Sequence, residues 1–367
     1  MKQKILFLIA DLGGGGAEKV LVNLVNALPT DKYDITIRTI FSKGVNAKFL
    51  APHIKYSSLL PCKMMRGYVM LQKLIPRRWL YKLLVHGKYD IEIAYMMHAP
   101  TRALGGSNSS AKKYAWSHIL HMSQIAYRNK DEFLSTYQSL DGIAFVSRDA
   151  MQDFNNSYFV HPYGRIVHNV VSSDYIRSCG KESIPVAIDN RSINLCSVGR
   201  LCQQKGYIRL IMSLGELHNE GLKNWHLYLL GEGGERDAIT QIAHKYGVAD
   251  RVTLLGFQTN PHKYVSKMDL FVCSSETEGY STAVTESMIL GVPVLTTDCS
   301  GMNEIIGDSG AGIIVPNSTE SLKAGLRQVL SDKDLLAEMK IKASERSKIF
   351  DTQNLIAEFE NFINGKA

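Results

Sequence analysis

Two carboxylates and two cations in short, well-spaced stretches are the residues best suited to chemistry. Glu278 and Glu286 lie eight positions apart in SSETEGYSTAVTESMILGVPV and straddle a strand-to-helix turn. The strand is the apolar run DLFVCSS, and the helix begins near Ser281 or Thr282 and runs through Ala283, Val284, Met288 and Leu290 until Gly291, Val292 and Pro293 stop it. The loop Glu278, Gly279, Tyr280, Ser281 and Thr282 therefore sits at a helix N-terminus. Unpaired N–H groups and the positive end of the helix dipole make such a place attractive to a pyrophosphate. Carboxylates accept hydrogen bonds from vicinal sugar hydroxyls but repel phosphate, so a site of this kind also needs fixed cations.

The cations stand upstream in SVGRLCQQKGYIRL. Arg200 follows an apolar strand from Ile193 to Val198, and Lys205 opens the next helix, with Gly199 and Gly206 allowing close backbone approach. If both strands belong to one parallel sheet, Arg200, Lys205 and Glu278 share its carboxyl edge, where open α/β sheets bind ligands. Charge-assisted contacts from Arg and Lys there stabilise a departing nucleoside diphosphate.

The order strand-GR-x4-KG-helix followed by E-x7-E resembles the retaining glycosyltransferases of family 4. KILFLIADLGGGGAEKVLVNLVNAL is similar to that family's first strand, glycine loop and helix, LYLLGEGGERDAI to a strand-turn-helix of its nucleotide half, and SGMNEIIGDSGAGIIVP to its last sheet strand. The resemblance implies an α/β protein of GT-B fold, with two Rossmann-like parallel-sheet domains facing an interdomain cleft and a C-terminal helix crossing back to the N-terminal domain. It implies catalytic roles for Arg200, Lys205, Glu278 and His118. Glu286 would hold ribose hydroxyls, Glu278 the hydroxyls of the transferred sugar, and Gly279, Tyr280, Ser281 and Thr282 would offer backbone amides to the phosphates. Gly15 and Gly16 of the first glycine loop would contact donor phosphate or acceptor, while His118 would stand beside the donor sugar. Retention, a UDP-linked donor and a glycan or lipid-linked acceptor in cell-surface polysaccharide synthesis follow from the same likeness. One departure is EGYSTAVTES where many members have EGFG, so Tyr280 and Ser281 alter the pocket.

Strands and helices alternate along the chain, which argues for parallel sheets covered on both faces. Strands are expected at residues 5–9, 35–40, 91–95, 114–116, 143–146 and 166–168, then at 193–198, 227–230, 252–255, 270–273, 294–296 and 312–315. The expected domains are 1–170 with the terminal stretch 350–367, a polar and irregular linker at 171–191, and a nucleotide-sugar half at 192–349. The terminal helix, residues 352–363, is amphipathic through Leu355, Ile356, Phe359 and Phe362.

A chain of 367 residues with 45% hydrophobic residues can bury a large core, and its length favours two domains. The basic and apolar opening MKQKILFLIAD is too short for a signal peptide or membrane span, so a cytoplasmic protein is expected, soluble or peripheral on a membrane. The six cysteines lack a CxxC pair and read as inert thiols. No cofactor or catalytic metal is expected: Asp332, Lys333 and Asp334 match a metal-binding Asp-x-Asp but stand between helices, where aspartates cap. The net charge of +7 is unevenly placed, with eight Lys or Arg and no acidic residue between Ala51 and Lys88. This segment, interleaved with Met, Leu, Ile, Trp79 and Tyr81, suits an anionic membrane surface. The alternative is a solvated basic helix interrupted by Pro76. Stacking platforms for nucleic acid are missing. Two rival functions stay open: a non-catalytic nucleotide-sugar-binding partner of a synthase complex, and a nucleotide-sugar epimerase.

Overall fold

The structure, a computed structural model, describes residues 1–42, 44–61, 72–118, 124, 126–186, 188–189 and 191–365. The chain divides into two compact units, one formed by Met1–Val171 with Thr352–Ala367 and the other by Ser172–Asp351.

The first unit is built on a parallel sheet of seven strands: β1 (Gln3–Ile9), β2 (Tyr33–Phe41), β3 (Lys55–Leu60), β4 (Ile91–Ala94), β5 (Lys112–Ser117), β6 (Gly142–Phe145) and β7 (Gly164–Ile166). Their spatial order is β3-β2-β1-β4-β5-β6-β7. Residues Ile5 to Ile9 of the central strand are buried on both faces, the condition that lets a parallel strand read as an unbroken apolar run. The C-terminal helix Thr352–Ile363 belongs to this unit. Phe362 sets its ring 4.9 Å from Tyr114, 5.6 Å from Trp116 and 5.4 Å from Tyr163, and Phe359 stacks 6.2 Å from Phe7. Tyr114 and Tyr163 donate their hydroxyls to the carbonyls of Ile363 and Phe362 at 3.1 and 2.9 Å. An aromatic seam with its polar tips satisfied thus fastens the helix.

The second unit carries six parallel strands, β8 (Ile193–Val198), β9 (Trp225–Leu230), β10 (Val252–Gly256), β11 (Leu270–Cys273), β12 (Val294–Thr297) and β13 (Gly312–Val315), in the order β10-β9-β8-β11-β12-β13. Its core gathers Leu195, Leu210, Leu214, Trp225, Leu229 and Leu326. The strand order reverses between β8 and β11, so loops leaving their carboxyl ends flank a switch point. Those loops carry Arg200 with Lys205 and Glu278.

Three expectations change. The basic segment 51–88 is no single helix: β3 pairs beside β2, and a separate short helix, Arg77–Leu84, starts after Pro76, whose fixed φ suits a helix start. Lys63 and Arg66 of that segment, like Cys62 and His121, lie outside the described residues. The strand expected at 166–168 forms earlier, at Gly164–Ile166. The stretch 171–191, read as irregular, contains the helix Ser173–Gly180. It escaped notice because its apolar face is only Ile176 and Cys179, too few positions to raise a helical period. Asp332 accepts from the Leu335 amide at 2.9 Å, a cap of the helix Lys333–Arg346.

Candidate active site

Lys205 does not open a regular helix but ends a 3-10 turn, Gln203–Lys205, and Gly206 then turns the chain at φ 64 into the helix Tyr207–Asn219. A side chain at Gly206 would be strained and would collide with the Ser274 carbonyl oxygen. That close approach brings the loop after β8 onto the end of β11. Lys205 Nζ donates to Glu278 Oε1 at 2.6 Å, and Ser275 Oγ donates to the same oxygen at 2.6 Å. Both charged side chains are largely buried, Lys205 at 23% and Glu278 at 10% exposure. Burial opposes the Lys205 charge, yet the Glu278 carboxylate outweighs it and holds the ammonium pKa above its ordinary value. Tyr207 and Ser197 line the same shallow pocket with Lys205, Ser275, Glu278 and Ser281.

Other side chains fix this loop. The Arg209 guanidinium donates to the carbonyls of Ser274 and Ser275, each at 2.7 Å from Nη2, and to Asn317 Oδ1 at 2.8 Å. Asn317 in turn donates to the Glu276 carbonyl at 2.8 Å. A planar fork is suited to binding several carbonyl oxygens at once. Arg200 stands exposed just beyond β8, and among the described residues it has no carboxylate partner. Its charge is therefore available to solvent.

The helix following Glu278 spans Thr282–Ile289, with Ser281 as its N-cap: the hydroxyl accepts from the Val284 amide at 3.4 Å. Tyr280 is only 8% exposed, and a side chain at Gly301 would press on its ring, so Tyr280 is packed inward at that loop. Glu286, one turn along the helix, is buried. Its carboxylate is 3.6 Å from Nδ1 of the buried His262.

In the first unit the glycine loop follows β1. Asn46 donates to the Gly13 carbonyl, and Asp11 Oδ1 accepts from the Gly13 amide at 2.7 Å. Gly15 caps the helix Gly16–Ala27, and a side chain there would collide with the Glu18 carboxylate, whereas Gly16 is open. Burial, with the Asp11 carboxylate adding to it, raises the Glu18 pKa. His118 follows β5, with Nε2 3.1 Å from the Tyr95 carbonyl and its ring 4.8 Å from the Tyr95 ring. Burial pushes its pKa down to about 4, so the ring is neutral near pH 7. A carbonyl can only accept, so Nε2 carries the proton and Nδ1 is left as an acceptor.

Residues 181–346, which lie within the second unit, match the family described as glycosyl transferases group 1. The second unit thus carries the pattern of that family. It is 27% identical, over 99% of its length and 100% of the relative's, to the N-acetylgalactosamine-N,N'-diacetylbacillosaminyl-diphospho-undecaprenol 4-alpha-N-acetylgalactosaminyltransferase of Campylobacter jejuni. A second enzyme of that organism, a GalNAc-alpha-(1->4)-GalNAc-alpha-(1->3)-diNAcBac-PP-undecaprenol alpha-1,4-N-acetyl-D-galactosaminyltransferase, is 24% identical over 98% of both chains. Among solved structures, Anabaena HepE in complex with UDP superposes with a TM-score of 0.78 over 100% of both chains at 18% identity. That superposition over the full length identifies the fold as GT-B, while the family match and the full-length relatives mark the chain as a glycosyltransferase.

Within this glycosyltransferase the motif residues Lys205 and Glu278 come into direct contact, while Glu286 is held separately and Gly15, Gly16 and His118 belong to the first unit. Ser275, Arg209, Asn317 and His262 join the site without having been singled out by any motif. Ser275 was legible as the small polar end of strand β11. The other three lie 18 to 108 positions from the residues they hold, beyond any local pattern. Cys179, Cys196, Cys273 and Cys299 are buried thiols, and burial pushes Cys299 up to about 11.

Proposed function

We propose that this glycosyltransferase is a retaining, metal-independent enzyme of family 4 that moves a sugar from a UDP-sugar to a hydroxyl of a lipid-linked oligosaccharide in cell-surface polysaccharide synthesis. The observation that carries the reading is the Lys205–Glu278 contact of 2.6 Å at the carboxyl edge of β8 and β11. It puts a fixed cation and a hydroxyl-binding carboxylate within reach of one ligand, beside the exposed Arg200. The bond from the anomeric carbon to the diphosphate oxygen breaks, and its electron pair leaves with the diphosphate. Arg200 and Lys205 stabilise that charge. The acceptor oxygen attacks from the same face, and its proton passes to the departing diphosphate. The amides of Gly279 to Thr282 complete the phosphate end, and Glu286 holds the ribose. Because Asp11 and Glu18 place carboxylates at the glycine loop, Gly15 and Gly16 serve hydroxyl-bearing acceptor or sugar rather than phosphate. His118 accepts a sugar hydroxyl through Nδ1. The undecaprenol-linked substrates in the names of the two Campylobacter relatives support the acceptor class, and the UDP in HepE supports the donor base.

The lipid-linked acceptor needs a surface that meets a membrane. Leu74, Trp79 and Leu83 are 77%, 61% and 43% exposed, alongside Lys73, Arg78 and Lys82. Lys82 Nζ lies 5.3 Å from the centre of the Trp79 ring. Amphipathic aromatic and basic residues together suit an anionic headgroup layer. Among the described residues no helix is long and apolar enough to cross a membrane.

The test is release of nucleoside diphosphate from a panel of UDP-sugars, with and without an undecaprenyl-diphosphate-linked glycan, in the presence and absence of EDTA. Acceptor-dependent release that survives EDTA, with the product linkage keeping the donor's anomeric configuration, is the expected result. No turnover with any donor sinks the catalytic reading in favour of a binding partner. Conversion between donors without acceptor points to an epimerase.

A further inference from the structure

Glu286 is a buried carboxylate on the helix Thr282–Ile289, and its neighbour His262 is more deeply buried, at 4% exposure. His262 Nδ1 lies 3.6 Å from Glu286 Oε2. A buried charge needs a partner of opposite charge or a strong donor. His262 opens the one-turn helix His262–Val265, and that turn is pinned from two sides. Asn260 donates to the Cys179 carbonyl at 3.2 Å, and Ser266 donates to the Gly180 carbonyl at 2.6 Å. Those carbonyls close the helix Ser173–Gly180. A side chain at Gly180 would press on Leu290, the residue that ends the Glu286 helix, so the same point of the fold also sets the position of Glu286.

We infer that His262 is a positioning residue for nucleotide recognition: it holds one oxygen of Glu286 and so fixes the plane in which the carboxylate meets the ribose hydroxyls. The inference rests on the assignment of Glu286 to the ribose. A carboxylate turned about its last bond still carries its charge but loses the paired geometry that vicinal hydroxyls require. Removing His262 therefore costs discrimination for the ribose hydroxyls more than affinity for the diphosphate, which Arg200 and Lys205 hold.

Calorimetric Kd values for UDP and 2′-deoxy-UDP, measured on the full chain and on the variants Glu286→Gln, His262→Phe and His262→Gln, test this. The wild type favours UDP by at least about tenfold, the scale of one hydrogen bond to a charged group. Glu286→Gln and His262→Phe each narrow the ratio to below about threefold, with UDP losing more affinity than 2′-deoxy-UDP, and His262→Gln, which keeps a donor, retains most of it. Retained binding of 2′-deoxy-UDP doubles as proof of folding. A ratio that stays full in His262→Phe while collapsing in Glu286→Gln overturns the inference alone, as does an equal weakening of both ligands by His262→Phe. A full ratio in Glu286→Gln, or no UDP binding by the wild type, overturns the ribose assignment and the inference with it.

Discussion

Lys205 Nζ and Ser275 Oγ share one oxygen of Glu278, each at 2.6 Å. The lysine comes from the loop after β8 and the serine from the end of β11, so the carboxylate is held by both sides of the switch point. On the proposed reading, Lys205→Ala removes a cation that stabilises the departing diphosphate. Its kcat is expected to fall by at least about a hundredfold, the loss seen when one positioned charge-stabilising group is removed. Single-turnover rates measure this directly, and an unchanged rate defeats the role.

Glu278→Gln keeps the shape and an acceptor oxygen but gives up the charge proposed to grip sugar hydroxyls. The donor KM is expected to rise about tenfold or more while the Kd for free UDP moves by less than about threefold. Equal losses for the sugar nucleotide and for UDP would contradict the assignment.

His118 supplies a pH dependence with a defined sign. Its pKa of about 4 in the folded chain lies below the value of about 6.5 for an exposed imidazole. Below pH ~6.5 the unfolded chain takes up a proton that the native ring refuses. The stability gained by burying the neutral ring is thus complete above that pH and is lost as pH falls toward 4. Urea midpoints from pH 4 to 7 should decline more steeply for the wild type than for His118→Asn, by up to about 1.4 kcal/mol per pH unit. Parallel curves would remove the imidazole from the account.

Trp79→Ser with Leu83→Ser should cut sedimentation with vesicles of phosphatidylglycerol at least about tenfold and leave vesicles of phosphatidylcholine unbound before and after. Turnover on a short water-soluble acceptor should not change. Undiminished sedimentation of the double variant would place membrane contact elsewhere.

Phe362→Ala opens a cavity in the aromatic seam between the terminal helix and β5. A loss of about 3–5 kcal/mol in the stability of the first unit is expected, read from chemical denaturation. A loss below about 1 kcal/mol would mean that the helix is not held there.

The framework was legible because each parallel strand, buried on both faces, appears as an apolar run. β8, β11 and β13 and the terminal helix fall where the pattern places them. β3 was not legible, since KYSSLL at a sheet edge is half polar and only partly buried. The motifs placed Lys205 and Glu278 at one sheet edge, but their direct contact is visible only in the structure. The nearness of His262 to Glu286 was not legible, because the turn that carries His262 is anchored on the helix Ser173–Gly180, whose pattern is weak. The inward packing of the Tyr280 ring beside Gly301 was not legible either, since it depends on a loop 21 positions away.

The bonds from Arg209 and Asn317 join chain segments that leave the ribosome far apart in time. Asn317 closes on Glu276 and Arg209 only after β13 has been made. A nascent chain that already contains Lys205, Glu278 and Glu286 still lacks the brace that gives their loop its shape. Competence to engage the sugar nucleotide is thereby deferred until translation of the second unit is nearly finished.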